Sequence, residues 1–452
     1  MKSNTQNKDH PLIRKIKLSL QFQQKAIWCI PGMTQLLSKR PDQFSNGIWP
    51  GYFSKAKGAY IWDLDGNRYL DMSISGIGAN VLGYADEDVD RAVIHAIRQG
   101  VSCSLNCPEE VELAELLCEL HPWAEKVRFT RSGGESLALA VRIARAYTGR
   151  DIVAFCGYHG WHDWYLSANI SDGKNLNEHL IPGISPKGVP HSLKGTALPF
   201  RYNHLDELKT IFEEHRGQVG AVVMEPIRNY EPKNNFLGEV KNLARKNGAV
   251  LVMDEVSAGF RIAPGGAHLN YNIQPDIAVF AKAIGNGYPI GAIIGVGNIM
   301  DAVQSTFISS TNWTERVGPS AALATIRKFK NLNAHHHLVE IGSMVQAGWR
   351  RAAERTGLKI DVSGIAPLSR FIFQGNDYLS KKAFFIQFML EREILASNLF
   401  YAMYAHTEEQ VANYLTVVEE AFDQIAKIEK EGVDFNRVLV GEPSVAGFGR
   451  LI

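Results

Sequence analysis

Residues 249–287 read AVLVMDEVSAGFRIAPGGAHLNYNIQPDIAVFAKAIGNG. Two short apolar runs, 249–253 and 277–280, lie at its ends. The first stops at Asp254-Glu255 and the second leads through Ala281 to Lys282. Short apolar runs bounded by polar or glycine residues are the pattern of strands buried on both faces. The same pattern recurs upstream at 127–130, 151–155 and 219–224, with helical periodicity between, as in 138–147. Strands alternating with helices predict an α/β fold built on a large, mostly parallel sheet. Ligands of such sheets bind at the C-terminal strand ends, where the ionisable residues of 249–287 fall.

Around this centre the chain predicts simpler elements. Residues 12–40 read as a helix followed by a turn at Pro31-Gly32. Tyr60–Leu70 reads as a hairpin around Asp65-Gly66-Asn67. Helices are predicted at 86–99 and 109–120, the latter with Glu109, Glu110 and Glu112 near its start. A helix near 317–331 is expected to lead into a smaller α+β domain that closes with helix 408–429. The expected organisation is an N-terminal segment 1–75 packing with the small domain, a large domain 76–330, and a C-terminal small domain 331–452.

Composition excludes several function classes. Of 452 residues, 45 % are hydrophobic and 21 % charged, as in ordinary globular proteins. Basic and acidic residues nearly cancel, 48 against 47, so no global field holds a nucleic acid or an anionic membrane. No apolar run approaches the roughly 20 residues that span a bilayer. Met1–Leu20 is polar and then basic, with no apolar stretch after its charges, so no secretory leader is expected. A single arginine and Asp9 argue against a transit peptide. Five cysteines, odd in number and without a Cys-x-x-Cys pair, point to reduced thiols in a cytoplasm. Cys103 and Cys107 have no His–Cys cluster beside them, and no metal site is expected.

Four groups at strand ends carry chemistry together. Ser132-Gly133-Gly134 follows a strand and opens a helix, which suits a phosphate, although a strand-to-helix turn needs glycine anyway. Asp254 ends a buried run, where an acid needs a cation or a donor. A protonated pyridine nitrogen is one such partner, and an ion pair with Arg261 is another. Lys282 sits among apolar and small residues, where desolvation favours the neutral, nucleophilic amine able to form a Schiff base with an aldehyde cofactor. A solvated surface lysine is the plainer reading. Tyr158-His159 offers a ring to stack on a planar cofactor, or simply packs.

In chain order these groups resemble the class III aminotransferase signature. Asp254-Glu255-Val256-x-x-Gly259-Phe260-Arg261, followed after Pro275-Asp276 by the strand bearing Lys282, carries the resemblance. Further motifs are similar to the glutamate-1-semialdehyde 2,1-aminomutase branch: Arg142-x-x-Arg145-Ala146-x-Thr148-Gly149-Arg150, Tyr158-His159-Gly160-Trp161-His162, Glu225-Pro226-Ile227-Arg228-Asn229 and Ala405-His406-Thr407-Glu408-Glu409. The resemblance implies the PLP-dependent transferase fold type I (aspartate aminotransferase-like) and a pyridoxal 5'-phosphate (PLP) cofactor. It implies that Lys282 holds PLP, that Asp254 pairs with the ring nitrogen, and that Tyr158, with neighbouring His159, stacks on the ring. Val256 is implied to pack on the opposite face, Ser132, Gly133 and Gly134 to bind the phosphate, and Glu225 and Asn229 to lie near O3'. A threonine from a second copy completes the phosphate site in this family. Spacing to a following proline, here Pro319, selects Thr314, with Thr311 as runner-up. The implied partners are therefore an amino donor, a carbonyl acceptor and a homodimeric copy.

Two departures bear on substrate. Pro31-Gly32 continues as Met33–Arg40 in place of the branch's Asn-Ser-Pro-Val-Arg-like segment. Leu399–Met403 lacks the acid of its Phe-Glu-Ala-Gly-like stretch. Changed pocket groups imply a changed ligand. The expected function is amino transfer to a small aldehyde or ketone, with a sugar-derived carbonyl in view because Trp161, Trp164 and Trp313 are expected to add aromatic walls. A true aminomutase and a non-catalytic PLP-fold binding protein are the alternatives.

Overall fold

Seven short strands make the central sheet. Their order is Lys126–Thr130, Gly291–Gly295, Ile277–Phe280, Val250–Asp254, Val219–Met224, Ile152–Cys156 and Ala197–Pro199. The computed structural model describes residues 10–179 and 182–447. The reading of Met1–Leu20 rests in part on residues 1–9, which lie outside the described residues. From Ile277–Phe280 to Ala197–Pro199 all neighbours are parallel, and Gly291–Gly295 runs against both of its neighbours. Every residue of Val219–Met224, Val250–Asp254 and Ile277–Phe280 is buried, so these runs show no alternation.

Two of these strands are absent from the sequence reading. Ala197–Pro199 is short, lies at the sheet edge and ends in a proline, which has no N–H to give a ladder. Gly291–Gly295 is flanked by glycine and follows the turn at Gly285–Gly287, so its strand pattern is masked. Gly291 has a packing reason: a Cβ there would meet Ser136 Oγ and Thr130 Oγ1 at 2.4 Å.

Helix Gly133–Thr148 starts earlier than its apolar periodicity reveals, because its first turn carries the glycines. Ser132 caps it by accepting from the Glu135 N–H at 3.4 Å, and Gly149 ends it at φ +65°. Its buried face (Ala140, Ile143, Ala144) joins Val153, Phe155, Val223, Val252, Val279 and Ile293 in one core. Helix Val317–Asn331 packs on Glu87–Gln99 and Pro108–Leu120.

The chain divides into two units. One comprises residues up to Gly78, Leu82–Asp86 and the chain from His337 onward; the other comprises Ala79–Val81 and Glu87–His336 and contains the central sheet. In the first unit the hairpin Tyr60–Asp63/Arg68–Met72 pairs antiparallel, and Arg68–Met72 pairs parallel with Ile394–Ala396. The organiser of the hairpin is buried Asp63, whose Oδ1 accepts from Asp65 N–H (3.0 Å) and Asn67 N–H (2.8 Å). Residues 12–40 carry two helical pieces, Pro11–Lys15 and Lys17–Cys29, separated at Ile16. Helix Glu408–Lys430 opens with a capping box of Thr407 and Gln410. Just before it, buried His406 accepts from Met403 N–H through Nδ1 (3.0 Å), and its Nε2 therefore donates to Asp71 O (2.8 Å). Among the described residues no helix is long and apolar enough to cross a membrane.

Candidate active site

The second unit holds a cavity of about 280 Å³ at the C-terminal ends of the parallel strands, lined by residues that include Ser132, Gly133, Gly134, Tyr158, Asp254, Val256 and Lys282. Seven of the twelve residues expected from sequence thus meet on one wall.

The glycine turn is set by close packing. A Cβ on Gly133 would lie 2.7 Å from Val256 Cγ1, and one on Gly160 would lie 2.8 Å from Gly134 Cα. Having no side chains of their own, Gly133 and Gly134 let an anion approach the N–H groups of the first turn.

Asp254 is 2 % exposed. Its Oδ1 accepts from Val256 N–H at 3.0 Å, and its Oδ2 is 2.8 Å from His159 Nδ1. The partner that makes this burial tolerable is thus His159, itself buried, with Nε2 3.2 Å from Cys156 O. Arg261, the other cation considered for Asp254, donates from Nε to Ser257 O at 3.3 Å. His159 serves here as a ligand of the acid. The cavity wall carries Tyr158, whose hydroxyl pKa burial raises.

Lys282 follows the strand Ile277–Phe280 with φ +48°, a left-handed backbone uncommon outside glycine. Its Nζ donates to Ser257 Oγ at 2.8 Å. Burial brings the amine pKa down to about 8, with the charge of Arg228 acting in the same direction and Asp254 and Glu225 opposing it. Near neutral pH a useful fraction of the amine is therefore neutral.

The remaining expected residues lie off this wall. Glu225 is buried and pairs with Arg228 at 3.3 Å, and Asn229 is exposed. Thr311 and Thr314 are exposed on the short turn Thr311–Thr314, where Thr314 Oγ1 donates to Thr311 O at 3.0 Å. The tryptophan walls are corrected. Trp164 is buried against His159 at 6.3 Å, Trp161 is 69 % exposed and stacked on His162, and Trp313 donates its N–H to Glu135 Oε1 at 3.0 Å. None of the three lines the cavity; Tyr288 does, with its hydroxyl held by Asp90 at 2.9 Å.

Sequence reasoning missed Ser257, Arg131 and Tyr288. A serine three residues after Asp254 has no signal of its own, because only the turn brings Oγ to Lys282. Among the described residues no group of three or more His, Cys, Asp or Glu side chains is placed to hold a metal. The donor set instead fits a planar group with three handles: an anion for the glycine cradle, a basic ring nitrogen for Asp254, and a carbonyl for the Lys282 amine.

Comparison with known proteins agrees with that fit. The family described as Aminotransferase class-III matches residues 46–365. A glutamate-1-semialdehyde 2,1-aminomutase 2 of Lachnoclostridium phytofermentans is 34 % identical over 401 residues, covering 83 % of this chain and 92 % of its own. A 3-aminobutyryl-CoA aminotransferase of Cloacimonas acidaminovorans is 29 % identical, over 92 % of this chain and all of its own. The crystal structure of an omega-transaminase from Sphaerobacter thermophilus superposes with a TM-score of 0.80 at 26 % identity, over 90 % of this chain and 98 % of that one.

Proposed function

The chain belongs to the class III aminotransferase family, and on that premise we propose that it moves an amino group between an amino donor and a small aldehyde or ketone, using PLP. Its fold is the fold type I of PLP-dependent transferases, with the mixed, mostly parallel seven-stranded sheet. The observation that carries the reading is the single cavity shared by Lys282, Asp254 and the Gly133-Gly134 turn.

When bound, the cofactor supplies an electron sink for the pair left behind as a proton leaves the substrate carbon. This chain's residues do the rest. Lys282 Nζ would anchor the cofactor, and the same amine would take the proton from the substrate carbon and redeliver it. Its lowered pKa lets it act as a base near neutral pH. Asp254 would keep the ring nitrogen protonated, and the His159 and Val256 N–H bonds fix that carboxylate. Ser132, Gly133 and Gly134 would hold the phosphate, and Tyr158 and Val256, on the same cavity, would hold the ring. Buried Glu225 and exposed Asn229 would serve the O3' side. Thr314, with Thr311 second, reaches the phosphate of a neighbouring copy, so the working enzyme is a homodimer. We place it in the cytoplasm on its few, unpaired cysteines.

The loss of the acid in Leu399–Met403 supports an acceptor other than glutamate semialdehyde, while the sugar-derived carbonyl loses the tryptophan walls that suggested it. The aminomutase relative at 34 % identity favours the second reading, an isomerase returning the amino group to the same molecule. The visible spectrum of the PLP-loaded protein, with amino donors added singly and no acceptor, separates the two. Loss of the lysine-bound band with one donor establishes the transamination half-reaction. Persistence of the band with every common donor sinks the transaminase reading and favours the aminomutase.

A further inference from the structure

The loop 307–315 is held by an unusual set of contacts, all within the unit that carries the cavity. Three arginines donate to its backbone carbonyls: Arg142 to Phe307 O (3.2 Å), Arg128 to Ile308 O (3.0 Å), and Arg131 to Trp313 O (2.9 Å) and Glu315 O (3.1 Å). They come from helix Gly133–Thr148, strand Lys126–Thr130 and the turn between them. Glu135, in the first turn of that helix, accepts from Arg131 N–H (2.8 Å) and from Trp313 Nε1–H (3.0 Å). At the loop's end, Glu315 pairs with Arg131 (2.9 Å) and accepts from Val317 and Gly318 N–H, closing the start of helix Val317–Asn331. Arg316 is held by Glu109 at 2.8 Å.

The outward side of the same loop is bare. Phe307 is 86 % exposed, and Thr311, Asn312 and Thr314 are exposed. Charged side chains spent on main-chain carbonyls fix a backbone path without contributing to a core, which is what a presented loop requires. We propose that Arg128, Arg131, Arg142, Glu135 and Trp313 form a brace that fixes loop 307–315 in the pose by which its threonine reaches the phosphate site of a second copy. This rests on the reading that a second copy completes each site. The same turn, 131–135, then shapes its own anion cradle and positions the group sent to the neighbour's.

Hybrid dimers of two differently tagged chains test this, with PLP titrated into the apo hybrids and the visible band of lysine-bound cofactor as the readout. In the first hybrid one chain carries Trp313→Phe with Lys282→Ala and the other is unaltered. The reporting lysine then receives the weakened loop. In the second, one chain carries Lys282→Ala alone and the other Trp313→Phe, so the reporting lysine receives an intact loop. The brace predicts PLP affinity weaker by roughly 5- to 10-fold in the first hybrid and unchanged in the second, the effect of one lost hydrogen bond. Arg142→Ala, remote from the cavity, repeats the pattern should Trp313→Phe misfold. Equal loss in both hybrids, loss only in the second, or loss in neither overturns the brace. An unaltered dimer that forms no band with PLP overturns the function beneath it instead.

Discussion

At the residue scale, the proposed chemistry turns on Lys282 and on Ser257, whose hydroxyl accepts from its amine. Replacing Lys282 with Ala removes the only amine on the cavity wall among the described residues. Turnover and covalent cofactor should be lost while the fold survives, as circular dichroism would report; retained turnover would sink the mechanism. Ser257 is the subtler case. A hydroxyl accepting from Nζ stabilises the ammonium more than the amine, so Ser257→Ala should lower the Lys282 pKa below its present value of about 8. The pH profile for the rate of PLP attachment to apoprotein should then move to lower pH. An unmoved midpoint would mean that Ser257 does not hold the amine. Lys282 and Asp254 were legible because each ends an apolar run at an improbable place for a charge. Ser257 was not, since its distance to Lys282 is a property of two separate turns, and neither turn has a sequence signature.

At the scale of elements, legibility followed burial. The buried runs 219–224 and 277–280 are legible to the residue because they are too short for a helix and are bounded by polar residues or glycine. Gly291–Gly295 has no legible strand pattern because its glycines answer to distant neighbours, Gly291 to Thr130 and Ser136 and Gly295 to the Asp276 carbonyl. The motif Ala405–Glu409 was recognised by likeness, and the structure gives it a physical content: a buried histidine of fixed tautomer followed by a capping box. Thr407→Ala removes the acceptor of Gln410 N–H at a cost of about 1 kcal/mol. Hydrogen exchange at that amide should accelerate by roughly 5-fold. Unchanged exchange would show that the Gln410 side chain alone holds the helix start.

At the scale of the whole molecule, buried His121 and half-buried His179 limit stability on the acid side. Burial lowers the pKa of His121 and of His179 to about 4, against 6.5 for the unfolded chain. Below pH 6.5 the unfolded state takes up protons that the folded state refuses, so the stability these groups supply above that pH drains away down to about pH 4. Melting temperatures should fall through this window, and His121→Gln should flatten the fall. A curve that is flat from pH 7 to 4.5 would refute the assignment.

The cradle described above has one more consequence. Gly133 packs against Val256 and its neighbour Gly134 against Gly160, although these residues lie far apart along the chain, on segments leading from three different strands. No fragment of the unit contains the anion site, so ligand occupancy is thermodynamically linked to the folding of the whole unit, with stabilisation growing as the logarithm of free ligand over Kd. A cell short of vitamin B6 would hold this protein as a chain that opens more often and is more readily degraded by proteases, so that cofactor supply governs the enzyme's lifetime as well as its rate.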